Sequence, residues 1–231
     1  MMTIWGNMNM EGKNIESYKE LHSKNASYGT TSVGYLEEMS YLIDFLKPQS
    51  ILDYGCGKGK LVDALRDKYK DIEIYGYDPA IPGRDRLPDN KIDLVINTDV
   101  LEHIPEDEIE KTIKKIKAIS GNVIFCLHHA LAVAILPDGS NAHCTVKSIF
   151  WYYELFSKYF NNVTVLDGVE PWQNTVCTFP IGTDVWGSWH SVVMKKRQIR
   201  RAYLFVKPIY DPLRPVFLPF IKLFRKIYVG G

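Results

Sequence analysis

The stretch ILDYGCGKGK, residues 51–60, leaves few folds open. An apolar run ends in a loop with glycine at positions 55, 57 and 59, and the helix-forming run GKLVDALRDKYK follows at once. A strand that turns into a helix through glycines aims the backbone N–H groups of the loop at a ligand. A phosphate-binding GxxxxGK[ST] loop does not fit, because Tyr54 stands where the first glycine is needed and Leu61 follows Lys60. A dinucleotide GxGxxG fits at Gly55 and Gly57 but fails at its third place, which is Lys60.

Asp53 narrows the choice. It lies two residues before Gly55, at the mouth of the loop. A carboxylate there repels a pyrophosphate and favours a ligand that carries an ammonium group, as S-adenosylmethionine does. Asp78 closes the next apolar run, DIEIYGYD, where an acid accepts hydrogen bonds from ribose hydroxyls. The plainer reading is a tight strand–helix turn flanked by two solvated acids.

The rest of the body alternates in the same way. VGYLEEMSYLIDFL (33–46) has apolar residues at helical spacing, and Pro48 ends it. KIDLVIN and NVIFCLHH read as strands, with the helix PEDEIEKTIKKIKAI between them. TVKSIFWYYELFSKYF reads as a helix, NNVTVLDGV as a strand and SWHSVVMKK as the last strand. Strand–helix alternation of this kind gives an α/β fold, a mostly parallel sheet with helices on both faces.

DYGCGKG, YGYDP and DLVINTDVLEHIP resemble the successive cofactor motifs of class I S-adenosylmethionine-dependent methyltransferases. The resemblance covers roughly residues 35–195. It implies a Rossmann-like seven-stranded sheet whose last strand is antiparallel, with S-adenosyl-L-methionine as cofactor. It places Asp53, Gly55 and Gly57 on the methionine part of the cofactor, Asp78 on the ribose and Thr98 near the methyl group. YKELHSKNASYG, with Tyr18 and Tyr28, resembles the segment that folds over the cofactor in this family. Three parts follow: a cofactor-covering segment (1–34), a methyltransferase domain (35–196) and a tail (197–231).

Methyl transfer is an in-line displacement that needs an aligned acceptor and a group to take its proton, a task suited to histidine at neutral pH. His128 and His129 end the NVIFCLHH strand on the face where open parallel sheets bind ligands, and neighbours in a strand point to opposite sides. His143 lies in the polar loop DGSNAH, which resembles a loop of some bacterial and phage class I methyltransferases. His143, His128 and His129 are therefore the candidate catalytic residues. His103 and Trp151 are candidates for holding the acceptor, and Trp151 also suits the core. Residues 169–190, with three tryptophans, are long for a connection and suit a substrate lid. Asp99, Glu102 and His103 have the spacing D-x-x-E-H, which resembles the E-x-x-E-H metal site of small-RNA 2′-O-methyltransferases, with His143 as the further ligand. Asp99 in place of Glu shortens that reach, and whether a metal binds stays open.

Charge is distributed unevenly. The net charge of +1 does not mark the whole chain as a nucleic-acid binder. Yet from Lys195 onward ten Lys/Arg face a single acid, Asp211, among aromatic and aliphatic residues. Such a basic amphipathic tail suits peripheral contact with an anionic membrane, RNA, or packing on its own domain. Four cysteines without a CxxC pair indicate neither a zinc knuckle nor a disulfide framework. The start of the chain lacks the pattern of a signal peptide, so the expectation is a cytoplasmic protein, peripheral on the inner membrane face. The function expected is methyl transfer to an oxygen of a small molecule or glycan, extending to a surface polysaccharide intermediate. The alternatives are a metal-assisted RNA ribose 2′-O-methyltransferase and a non-catalytic cofactor-binding partner subunit.

Overall fold

The structure is a computed structural model that describes residues 15–25, 28–202 and 204. In chain order it runs α1 (Ile15–Lys24), a 3-10 turn (Thr31–Tyr35), α2 (Leu36–Leu46), β1 (Ser50–Tyr54), α3 (Lys60–Lys68), β2 (Glu73–Tyr77) and β3 (Leu94–Thr98). A second 3-10 turn (Leu101–His103), α4 (Glu106–Ile119), β4 (Val123–His128), α5 (Ile149–Ser157), β5 (Thr164–Asp167) and β6 (Gln173–Cys177) follow. A last helix, α6, spans 183–202. The tail beyond residue 204 and the first fourteen residues lie outside the described residues.

The local chemistry of these elements is direct. Met39, Leu42 and Ile43 bury one face of α2. Its end is closed by Lys47 in the left-handed region (φ 51°), whose N–H donates to the Ile43 carbonyl, and Pro48 cannot extend it. In α4 the acids Glu106, Asp107 and Glu108 crowd the first turn and Lys117 sits in the last, matching the helix dipole. The Ser148 hydroxyl caps α5 by accepting from the Trp151 N–H.

The sheet has the order β2-β1-β3-β4-β6-β5. β1, β2, β3 and β4 are parallel, and β6 is antiparallel to both its neighbours. β1, β3 and β4 are buried almost throughout because both faces of the sheet are covered. Met39, Leu61, Leu65, Trp189 and Val193 from α2, α3 and α6 pack on one face. Ile109, Ile113, Ile116, Tyr152 and Phe156 from α4 and α5 pack on the other. The chain leaves β1 in one direction to β2 and in the other to β3, and the crevice at that switch point is where such sheets bind ligands.

Three expectations need correction. Among the described residues the sheet has six strands, not seven. Residues 79–90, between β2 and β3, carry Pro79, Pro82 and Pro88 and form no strand, since proline cannot donate to a ladder. SWHSVVMKK is not a strand but part of α6, in which Val185, Trp189, Val192 and Val193 recur at helical spacing and are all buried. The antiparallel strand is instead β6, inside the stretch taken for a lid. Its polar residues are satisfied there, with the Asn174 amide donating to the Leu166 carbonyl.

Candidate active site

A cleft of about 910 Å³ opens where β1, β2, β3 and β4 end. The glycine loop forms one wall. Gly55 (φ 87°) and Gly57 (φ 50°) adopt a backbone that side chains rarely tolerate. A Cβ on Gly55 would lie 2.3 Å from Val100, and one on Gly57 would lie 2.6 Å from the Gly29 carbonyl oxygen. Asp78 braces the loop. One of its oxygens accepts the Gly57 N–H and the other the Ala80 N–H, each at 2.9 Å, and its carboxylate borders the cleft.

Asp53 does not reach the cleft wall. It is fully buried behind the loop, and neither oxygen has a hydrogen-bond partner. Burial pushes its carboxyl up to about 7, the charge of Asp78 adds to this, and Arg84 opposes it. Thr98 is buried at the end of β3 with its hydroxyl unpartnered on the cleft wall.

The segment before α2 closes the cleft from above. Ile15, Tyr18 and His22 of α1 line it, as does Tyr28. The Gly29 carbonyl accepts the Lys58 N–H at 3.0 Å, which docks this segment on the glycine loop. The Tyr18 hydroxyl donates to the Ala142 carbonyl at 2.7 Å and so ties α1 to the loop that carries His143.

Three histidines converge on the opposite wall. The ring centroids of His103 and His143 lie 4.8 Å apart, and those of His128 and His143 lie 5.2 Å apart. His103 Nδ1 donates to the Ala142 carbonyl (2.8 Å) and His143 Nδ1 to the Ala130 carbonyl (2.6 Å). A carbonyl only accepts, so both Nδ1 atoms carry the proton and Nε2 is the free nitrogen of each neutral ring. Burial holds all three rings below the usual histidine range, His103 and His128 at about 4; neighbouring rings add to the effect on those two, and the Ala130 carbonyl opposes it at His143. Glu102 lies beside them, fully buried, with no side chain bonded to its carboxyl. Burial first and the Asp99 charge second raise its carboxyl well above the usual range.

Some expected residues lie elsewhere. His129 points to the other side of β4, with Nδ1 2.8 Å from the Lys147 carbonyl and Nε2 3.1 Å from the Asn174 side chain, and it does not line the cleft. Its catalytic assignment is withdrawn on that geometry. Trp151 packs edge-on against Tyr152 under the Lys147 ammonium and does not line the cleft. Trp189 is core, and only Trp172 of the three tryptophans in 169–190 reaches the cleft.

A hydrogen-bonded chain escaped the sequence reading. The Gln173 amide donates to the Tyr35 hydroxyl, which donates to Asp99, both at 2.9 Å. Asp99 has φ 52°, a strained backbone of the kind found at functional sites, and no sequence signal joins it to residues 64 and 74 positions away.

The profile of a family described as a methyltransferase domain matches residues 34–156, more than half of the chain. No curated protein sequence matches. A Nostoc punctiforme structure described as an O-methyltransferase aligns at 16% identity and TM-score 0.51, over 77% of this chain and 64% of that one. The mitomycin 7-O-methyltransferase aligns at 13% identity and TM-score 0.51, over 71% of this chain and 59% of that one. This chain thus spans less than two thirds of the length of either structure, and at these identities the likeness is one of fold. Positive-φ glycines that keep the backbone bare, an acid with acceptor capacity at the end of β2 and an unpartnered threonine hydroxyl fit S-adenosylmethionine. The chain belongs to the class I S-adenosylmethionine-dependent methyltransferases, and S-adenosylmethionine is its cofactor.

Proposed function

We propose that the protein transfers a methyl group to an oxygen of a small-molecule or glycan acceptor. The observation that carries this reading is the meeting of His103, His128 and His143, all uncharged at neutral pH, in the same cleft as the glycine loop. S-adenosylmethionine supplies an electrophilic methyl group on a sulfonium. The chain has to hold an acceptor hydroxyl in line with that methyl and take its proton. His128 and His143 each have a ring nitrogen free of any other bond, which fits them for the proton. Gly55, Gly57, Asp78, Thr98 and Tyr28 are assigned to the cofactor and His103 to the acceptor side.

The mouth of the cleft adds a preference. Leu131, Val133 and Trp172 border it and are exposed to solvent. An apolar mouth supports an acceptor with an apolar part, such as a lipid-linked intermediate of a surface polysaccharide. The basic, aromatic composition of residues 197–231 supports peripheral contact with a membrane. Among the described residues no helix is long and apolar enough to cross one.

The test is incubation of purified protein with radiolabelled S-adenosylmethionine and host-cell extract, followed by separation of lipid, glycan and RNA. Alkali-stable label in lipid or glycan is expected. Label that ribonuclease removes would overturn the acceptor class, and absence of label in any fraction would overturn the enzymatic reading in favour of a partner subunit.

A further inference from the structure

Glu102 poses a question that the methyl-transfer reading leaves open. A carboxyl with no exposed surface and no side-chain partner is costly, because burial removes its hydration. Only the backbone N–H groups of Glu102 and His128 face it. Directly beside it stand two imidazoles. One ligand atom from each of Glu102, His103 and His143 lies within 4.8 Å of the others. We infer that these three side chains bind a divalent transition-metal ion, which takes the acceptor hydroxyl as a further ligand. This proposal rests on the O-methyl transfer reading for the ion's role, but not for its binding.

Three features favour a metal over a plain hydrogen-bonded cluster. The first is the state of the imidazoles. Both Nδ1–H groups are committed to backbone carbonyls, of Ala142 and Ala130, which fixes ring orientation and leaves an Nε2 lone pair on each. Ligand histidines are characteristically held through their other nitrogen in this way. The second is prior organisation. His103 and His143 come from separate elements, but those elements are joined. The Thr145 N–H donates to the Glu102 carbonyl at 3.0 Å, and the Thr145 hydroxyl donates to the Ile104 carbonyl at 2.7 Å. The Tyr18 hydroxyl adds a third tie at Ala142.

The third feature is the composition of the donor set. Asp99 is the other nearby carboxylate, and it accepts from the Tyr35 hydroxyl, which the Gln173 amide holds in turn. That leaves two neutral nitrogens and one carboxylate. Two histidines and a glutamate with an open position form a catalytic zinc set, and imidazole suits Zn²⁺ better than Mg²⁺, Ca²⁺ or Mn²⁺, which seek oxygen. The open positions face a cleft that His103 and His143 both line.

The assignment divides the labour among the histidines. His103 and His143 hold the ion, and His128, whose Nδ1 has no partner, is left to accept a proton. With the acceptor hydroxyl polarised by the ion, its O–CH₃ bond forms as the S–CH₃ bond breaks. The sulfur keeps the electron pair, the hydroxyl proton passes to His128, and the products are the methyl ether and S-adenosylhomocysteine.

The experiment starts from full-length protein stripped with EDTA and dialysed. Co²⁺ and Zn²⁺ are titrated by calorimetry, and the visible absorption of the Co²⁺ form is recorded. One ion per chain is expected, with nitrogen-ligand absorption bands. Affinity should fall at least tenfold in Glu102→Gln and in His143→Ala but stay unchanged in His190→Ala, which lies outside the cleft. Calorimetry of S-adenosylhomocysteine checks that each variant retains the folded cofactor site. Sub-stoichiometric binding, or equal binding by Glu102→Gln with that site intact, would overturn the metal site. Methyl transfer measured in the same samples separates the two claims. Transfer that persists unchanged in EDTA would overturn the ion's role and leave the methyltransferase reading standing. Stoichiometric metal without transfer would support the site while counting against that reading.

Discussion

The Tyr35 hydroxyl donates to the Asp99 carboxylate at 2.9 Å and joins the start of α2 to the loop after β3. Asp99 is otherwise desolvated, and burial raises its carboxyl to about 6 while the Tyr35 bond pulls it down. The Tyr35 bond favours its ionised form. Tyr35→Phe removes the donor and leaves the charge. A hydrogen bond to a charged group contributes about 1.5–3 kcal/mol, and urea unfolding should show a loss of that size. An unchanged midpoint would mean that water replaces the hydroxyl without cost.

Gly57 tests the contact between the glycine loop and the segment above it. In Gly57→Ala the new methyl meets the Gly29 carbonyl at 2.6 Å, in a backbone with φ 50°. The left-handed strain for alanine is about 1–2 kcal/mol, which a domain of this size survives. The larger effect should fall on cofactor affinity, because the segment and the loop must part. Calorimetric titration of S-adenosylhomocysteine is expected to show at least tenfold weaker binding.

Asp53 makes a pH prediction with a definite sign. Its carboxyl holds its proton more tightly in the folded protein, at about 7, than at its ordinary value of 3.8. The stability this gives is fully present below 3.8 and is lost as pH rises through 7. Between those values each pH unit costs up to about 1.4 kcal/mol relative to a variant that cannot ionise. Wild type should therefore lose stability against Asp53→Asn from pH 4 to pH 7, measured by thermal unfolding without cofactor. Parallel curves would show that the carboxyl is hydrated in solution.

The parts of this molecule that were legible in its sequence are those built from short-range chemistry. β1, the glycine loop and α3 follow from ILDYGCGKGK and the apolar spacing after it. The alternation of β4 likewise implied that only one of His128 and His129 would face the cleft, and His128 does. Misreadings arose where neighbours decide. SWHSVVMKK has β-branched residues that suit a strand, but Val185 upstream joins Trp189, Val192 and Val193 in a stripe that buries only on a helix. QNTVC looks polar enough for a loop, yet it lies between β4 and β5, whose backbones and the Leu166 carbonyl satisfy it. Tyr35 and Gln173, 138 residues apart, carry no local pattern and meet only through the sheet.

On the proposed function, the histidine wall of the cleft performs chemistry and does not merely complete the fold. The most direct measurement is the rate of methyl transfer by His143→Ala to the acceptor fraction, at saturating S-adenosylmethionine, beside the cofactor affinity of the same variant. A loss of at least about 10²-fold in rate is expected, with cofactor affinity unchanged. A rate within a few-fold of wild type would contradict it.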